Sequence, residues 1–356
     1  MKFHWMLFAL FITALGLLAC GAEAAQSPTQ AVEVATPAQA EAAATPAEAV
    51  EAPAQTSSEL RKVRLGVGYI PDVQFAPFYV AQSKGYFADE GLEVEIEYGF
   101  ENDFVALAAQ GEREFAIASG DQVILARAQG LPITYVMKWY QRFPVALVAP
   151  ADKNIAQPSD LAGKKVGLPG FFGASFIGWK ALIYAAQLDE SAIKVEEIGF
   201  TQVAALQQGL VDAAMIYIAN EPNQLRSQGI EVNVIEISDY IDLVSNGLVV
   251  GDKLMADDPD LVQRMVRASI RGLKDTLDNP DDAFAIVREV IPEITDDQAP
   301  TQRKVLEDSL KLWQSDKLGE SNPQAWQDSV DFMSKTGLLE KTLELDALYT
   351  NKFVEA

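Results

Sequence analysis

Apolar and polar residues alternate through KVRLGVGYI, residues 62–70, with the two-residue period of a half-buried strand. APFYVAQSKGYF follows with its apolar positions at helical spacing, and Gly85 marks the end of that helix. The same exchange then repeats. LEVEIEY reads as a second strand with Leu92, Val94 and Ile96 on one face, and NDFVALAAQGE as a helix capped by Asn102 and stopped at Gly111. EFAIAS, GDQVILARAQG and PITYVMKW supply a third strand, a third helix and a fourth strand. The pattern restarts after Pro150 with a strand at Lys165–Leu168 and a helix over about 174–187. The strand IKVEEIGF, a helix over 201–208, and the strands VDAAMIYI and VNVIEI complete a second, smaller unit. Such alternation predicts parallel sheets with helices on both faces. Past Gly251 the pattern is helical to the end. Two α/β units followed by helices predict two lobes and a ligand cleft beyond the carboxyl ends of their strands.

Two stretches near the start fit neither unit. The apolar run over residues 5–19 follows a single Lys2; it is short for a membrane span and fits a secretory signal. It ends in LLAC, which resembles the lipobox of bacterial lipoproteins, and Cys20 is the only Cys in the chain. The expected organisation is therefore a signal peptide over 1–19 and a lipidated Cys20, giving a chain tethered to the extracytoplasmic face of the cell membrane. Residues 20–58 are rich in Ala, Glu, Pro, Thr and Gln and read as a disordered tether, with Pro28, Pro37, Pro46 and Pro53 breaking any long helix. The folded part divides into a first lobe over 59–148, a second over 149–246, and a return to the first lobe with C-terminal helices over 247–356.

Composition narrows the chemistry. The chain has 28 Lys and Arg against 51 Asp and Glu, a net charge of −23; loss of Lys2 with the signal would make it −24. Such a surface repels nucleic acid backbones. The one His is His4, inside the expected signal, so a processed chain would have neither His nor a free thiol. Cys/His zinc sites, Ser-His-Asp triads and His general bases are thereby excluded, and no cofactor or metal is expected.

The strings YIPDVQFAPFYVAQSKGYFADEGLEVEI, LAAQGEREFAIASGDQVILARAQGLPITYV, DLAGKKVGLPG and ALQQGLVDAAMI, with the NEP at 220–222, carry a resemblance. In that order they resemble the substrate-binding proteins of ABC importers, in the family that includes thiamine-pyrimidine and alkanesulfonate binders. The resemblance implies an α/β, two-lobed type II periplasmic-binding fold, with the chain crossing between lobes near 144–150 and near Asn246–Gly251. It also implies an ABC permease and ATPase as partners and a monomeric binding protein. One branch of the family is an enzyme, a pyrimidine synthase with an active-site His, which this chain lacks outside the expected signal.

Loops that follow strands are the first candidates for the ligand. Tyr69, Asp72 and Phe75 follow the first strand, while Phe78 and Tyr79 have the spacing of a buried helix face. Ser119 and Asp121 open a helix, where free backbone N–H groups receive an acceptor and either side chain can cap. PGFFGASF places Phe171, Phe172 and Gly173 in a turn before the next helix. Trp139, Tyr140 and Arg142 end the fourth strand; because strand side chains alternate, only one of Trp139 and Tyr140 is expected in the core. Asn220 and Glu221 follow VDAAMIYI, and the resemblance implies that a Glu there meets a ring amino group. Tyr240 and Asn246 lie near the second crossing.

Asp72, Asp121 and Glu221 around one cleft would repel a sulfonate or nitrate, with Arg142 offsetting only one of them. Aromatic faces with acidic acceptors suit a neutral N–H-bearing heterocycle. A methylpyrimidine thiamine precursor and the larger isoalloxazine of riboflavin both qualify, and the amount of ring surface favours riboflavin. An extracytoplasmic enzyme working through a carboxylate pair and a surface scaffold protein are the competing classes.

Overall fold

The computed structural model describes residues 59–354. The expected signal, the lipidated Cys20 and the tether lie outside these residues.

Ten strands form two five-stranded sheets among the described residues. The first holds β1 (Arg61–Gly68), β2 (Leu92–Gly99), β3 (Phe115–Ser119), β4 (Ile133–Lys138) and β10 (Asn246–Gly251), in the order β2-β1-β3-β10-β4. The second holds β5 (Val145–Pro150), β6 (Lys165–Leu168), β7 (Lys194–Glu197), β8 (Ala213–Tyr217) and β9 (Val232–Glu236), in the order β7-β6-β8-β5-β9. Edge strand β2 buries Leu92 and Val94 and exposes Glu93 and Glu95, whereas central β3 is buried on both faces. This is the two-lobed α/β periplasmic-binding fold.

Neither sheet is wholly parallel, contrary to the expectation from alternation. β10 runs antiparallel to β3 and β4, and β5 antiparallel to β8 and β9. These are the two strands that enter a sheet directly from the opposite lobe, so they run against its other strands. The segments 144–150 and Asn246–Gly251, expected as crossings, are for the most part β5 and β10 themselves. VALVAP and NGLVVG are buried throughout and therefore show no alternation. The crossings lie just before them, at 139–144 and 237–245.

Helices α1 (Ala76–Ser83), α2 (Tyr86–Asp89), α3 (Glu101–Gln110) and α4 (Gly120–Ala128) follow strands of the first sheet; α5 (Gly173–Ala185), α6 (Gln202–Gln207) and α7 (Glu221–Ser227) follow strands of the second. Asn102 does not cap α3: it sits inside the first turn, and Phe100 occupies the capping position without a side-chain bond. Gly111 does end that helix, in the left-handed conformation.

The last helices are α8 (Asp252–Asp257), α9 (Pro259–Asp278), α10 (Pro280–Val290), α11 (Ala299–Trp313) and α12 (Pro323–Lys335). α9 and α10 pack on α1, α12 packs on α4, and α11 touches both the turn before α1 and α7. Gly272 lets α9 approach α1, because a Cβ there would meet the Pro77 carbonyl oxygen at 2.3 Å. Gly272→Ala should therefore lower stability by about 1–3 kcal/mol in urea denaturation, as overpacking does. An unchanged midpoint would mean that the two helices separate freely.

No helix among the described residues is long and apolar enough to cross a membrane. Nor do those residues hold a group of three or more His, Cys, Asp or Glu placed for a metal ion.

Candidate functional site

Between the sheets, at the carboxyl ends of their parallel strands, lies a cleft of about 850 Å³ including its open mouth. β1 delivers Tyr69 to it in a backbone conformation that a non-glycine residue rarely adopts, φ 106°. The Tyr69 N–H donates to Gly99 O at 2.7 Å, which holds the turn and aims the ring across the cleft. There it meets Phe200 edge-on, with centroids 5.0 Å apart, and Asn220 Nδ2 donates to its hydroxyl at 3.4 Å.

The inner wall is a ring cluster at the first crossing. Trp139 lies among Phe75 (5.9 Å), Phe78 (5.2 Å), Tyr140 (4.7 Å) and Trp313 at the end of α11 (5.7 Å). Trp139 and Tyr140 are both buried and both line the cleft. The expectation that only one would be buried fails because β4 stops at Lys138, so strand alternation does not reach them. Their two backbone N–H groups donate to one acceptor, Asn246 O, at 3.0 Å each. The start of β10 thus ties down the first crossing. The mouth is a second ring cluster shared by the lobes, with Phe100 packed on Phe172 (5.4 Å) and on Phe200 (5.2 Å).

Polar groups sit at two poles. At one, Glu221 Oε2 accepts the Tyr217 backbone N–H at 3.1 Å. Burial pushes the Glu221 carboxyl up to about 8, helped by the charge of Asp72 and opposed by the backbone N–H groups it accepts. At the other, Glu101 Oε1 accepts both the backbone N–H (2.5 Å) and the hydroxyl (2.6 Å) of Ser119. Burial and then the neighbouring Asp121 raise the Glu101 carboxyl above the usual range. Tyr217 joins the poles, since its hydroxyl donates to Asn246 Oδ1 at 3.2 Å.

Of the residues singled out in the sequence, Tyr69, Phe75, Trp139, Tyr140, Phe172, Gly173, Asn220, Glu221 and Asn246 line the cleft. Asp72 does not. It lies one layer behind, where Oδ1 accepts the backbone N–H and side-chain amide of Gln74 at 2.9 and 3.1 Å, and burial pushes its carboxyl up to about 6. Ser119 and Asp121 are also behind the wall: Ser119 caps nothing and holds Glu101, while Asp121 accepts from Gln122 Nε2 at 2.7 Å. Arg142 points away from the cleft to Glu236 (3.0 Å) and Asp239 (2.5 Å), tying the first crossing to the second lobe. Phe171 and Tyr240 are surface residues outside the lining, and Phe171 packs on Phe176.

Gln74, Phe100, Glu101, Asn102, Phe200, Gln202 and Tyr217 also line the cleft, beyond the ligand candidates that the sequence offers. Most follow β2 and β7, whose loops obey the same rule applied to the other strands. No Lys or Arg is among the lining residues. Chemically, the cleft offers ring faces on two sides, two carboxyl groups with raised affinity for protons, and amide and phenol groups between them.

A family model described as NMT1/THI5 like matches residues 72–283. The chain is 45% identical over 312 residues to riboflavin-binding protein RibY of Chloroflexus aurantiacus, covering 85% of this chain and 89% of that protein. It is 24% identical over 311 residues to a formylaminopyrimidine-binding protein of Halalkalibacterium halodurans, covering 84% and 92%. Among solved structures, the alkanesulfonate-binding protein SsuA from Xanthomonas axonopodis pv. citri bound to MOPS matches with a TM-score of 0.67 at 14% identity, covering 83% of this chain and 99% of that one. The last is a likeness of fold alone.

Proposed function

Since the chain belongs to the NMT1/THI5-like family, we propose that it is a solute-binding protein that closes two lobes on riboflavin and delivers it to an ABC permease. The observation that carries this reading is the cleft itself, where ring faces from both lobes enclose a space with no cationic side chain. A tricyclic heterocycle would stack on the Phe75, Trp139 and Tyr140 wall and be covered by Tyr69, Phe100, Phe172 and Phe200. Each good ring contact adds about 0.5–1.5 kcal/mol beyond area burial. Glu221 and Asn220 would meet the N–H and carbonyl edge of the ring. Identity to a riboflavin-binding protein over most of both chains supports the same ligand.

The two crossings at 139–144 and 237–245 are the hinge segments on which the lobes would close. Closure needs only that ligand bind the closed form better than the open one. Lipid anchoring through Cys20 would keep the receptor near its permease on the extracytoplasmic face.

A sulfonate or nitrate is disfavoured because the lining has Glu101 and Glu221 and no Lys or Arg to offset them. A thiamine-precursor pyrimidine is the second reading, supported by the relative that binds formylaminopyrimidine, but it leaves much of the ring surface uncovered. Carboxylate-dependent catalysis is the other class, and it predicts product formation.

Titration of the purified protein with riboflavin, followed by flavin fluorescence, should give saturable quenching at one site per chain without turnover. Absence of quenching would remove riboflavin and leave the pyrimidine, whose binding a thermal shift would then read.

A further inference from the structure

The pole of the cleft opposite Glu221 presents more acceptors than its own donors meet. Glu101 opens α3, and Ser119 takes up its Oε1 with two hydrogen bonds, so the carboxyl is held in one orientation. Its Oε2 has no hydrogen-bond partner among the described residues. Asn102, the next residue, donates Nδ2 to Asp103 Oδ1 at 3.0 Å, and its own Oδ1 is buried without a partner. Both residues line the cleft, and the lining offers no Lys or Arg to reach them. A buried acceptor such as Asn102 Oδ1 is almost always satisfied, so whatever fills this pole brings a donor with it.

The two poles stand one side chain apart. The Tyr217 backbone N–H is bound to Glu221, and its hydroxyl to Asn246. Asn246 pairs in register with Ser119, which holds Glu101. A flat ligand with its heterocyclic edge at Glu221 therefore places its other substituents toward Glu101.

We propose that Glu101, with Asn102, determines specificity by accepting hydroxyl groups of a polyol side chain carried by the flat ligand. The proposal rests on the riboflavin reading, since the ribityl chain is such a side chain. The groups facing Glu101 explain why neutral hydroxyl donors suit it. Asp121 from α4 stands behind it as a second carboxyl with Oδ1 unpartnered, and Tyr217 from β8 faces it as a phenol. Donors that bind the carboxylate directly relieve this crowding of acidic groups, and such charge-assisted bonds are the strong ones.

The test uses the full chain with two flavins, riboflavin and lumiflavin, which has the same ring system and a methyl group in place of the polyol. Wild-type protein should prefer riboflavin by about tenfold or more. Glu101→Gln keeps the oxygen that Ser119 holds and turns the free acceptor into a donor. It should lose about fivefold or more in riboflavin affinity while lumiflavin affinity stays within about twofold. Asn102→Ala should show the same selectivity with a smaller loss, and it decides the matter with the wild-type preference if Glu101→Gln fails to fold. Equal binding of both flavins by wild-type protein, or equal weakening of both by the variants, would overturn the proposal. Wild-type protein that binds neither flavin would instead overturn the riboflavin reading on which it rests.

Discussion

Replacing Trp139 with alanine is expected to lower the stability of the protein by about 3–5 kcal/mol, the usual cost of removing a buried Trp. Four rings surround it, from α1 and its preceding turn, from the first crossing and from α11, so the cavity has no single neighbour able to collapse into it. Trp139→Phe should cost less, about 1–2 kcal/mol, because a ring remains and no hydrogen bond is lost. The indole N–H is buried without a partner in the wild-type protein. The pair separates structure from recognition. If Trp139 is part of the ligand wall, the Phe variant should stay folded yet bind riboflavin several-fold more weakly, about 0.5–1.5 kcal/mol of lost ring contact. Urea denaturation and flavin titration of both variants check this. A Phe variant with wild-type affinity would make Trp139 a packing residue only.

The second large effect is on stability against pH. Burial pushes the Glu221 carboxyl up to about 8, and Asp72 up to about 6. Glu101 and Asp121 shift in the same direction, each chiefly through burial. A carboxyl whose value is higher folded than unfolded binds protons better in the folded state. Its contribution is therefore fully present below the unfolded value, near 4, and is lost as pH rises through the folded value. Asp212, Asp258 and Asp275 shift downward through hydrogen bonds and ion pairs, and their contribution is lost in acid. Stability should peak near pH 5 and fall toward pH 9.

Glu221→Gln should flatten the fall. The Gln side chain can still accept the Tyr217 N–H through its oxygen, and it carries no charge to bury. At pH 9 it should be more stable than wild type by an amount on the order of 3 kcal/mol, and near wild type at pH 5. Thermal unfolding of both proteins at pH 5, 7 and 9 reads the difference. Parallel curves would show that Glu221 ionises in the folded cleft at little cost.

Much of the site was legible because ligands in such folds meet the loops after strands, and those loops can be placed from periodicity. Tyr69, Phe75, Phe172, Asn220 and Glu221 are placed in such loops by the pattern and line the cleft. Phe100, Glu101 and Phe200 follow β2 and β7, and the same rule places them at the cleft. Asp72, Asp121 and Arg142 stand outside the cleft lining for a different reason. A charged residue beside a cleft looks the same in sequence whether it faces the ligand or a neighbouring side chain, and here Gln74, Gln122 and the Glu236–Asp239 pair take them up.

By itself the sequence determined the kinds of element and most of their positions, since apolar periodicity reports which face of each segment is buried. It also determined the absence of His and thiol chemistry beyond His4 and Cys20, which composition alone decides. Strand direction was decided only by tertiary structure. β5 and β10 are buried on both faces, and a segment buried on both faces has no alternation from which to read its place in a sheet. The pairing of Glu101 with Ser119 and Asp121 was decided there too. Residues from three successive elements meet in it, and local pattern carries no information about which of their side chains share one buried volume.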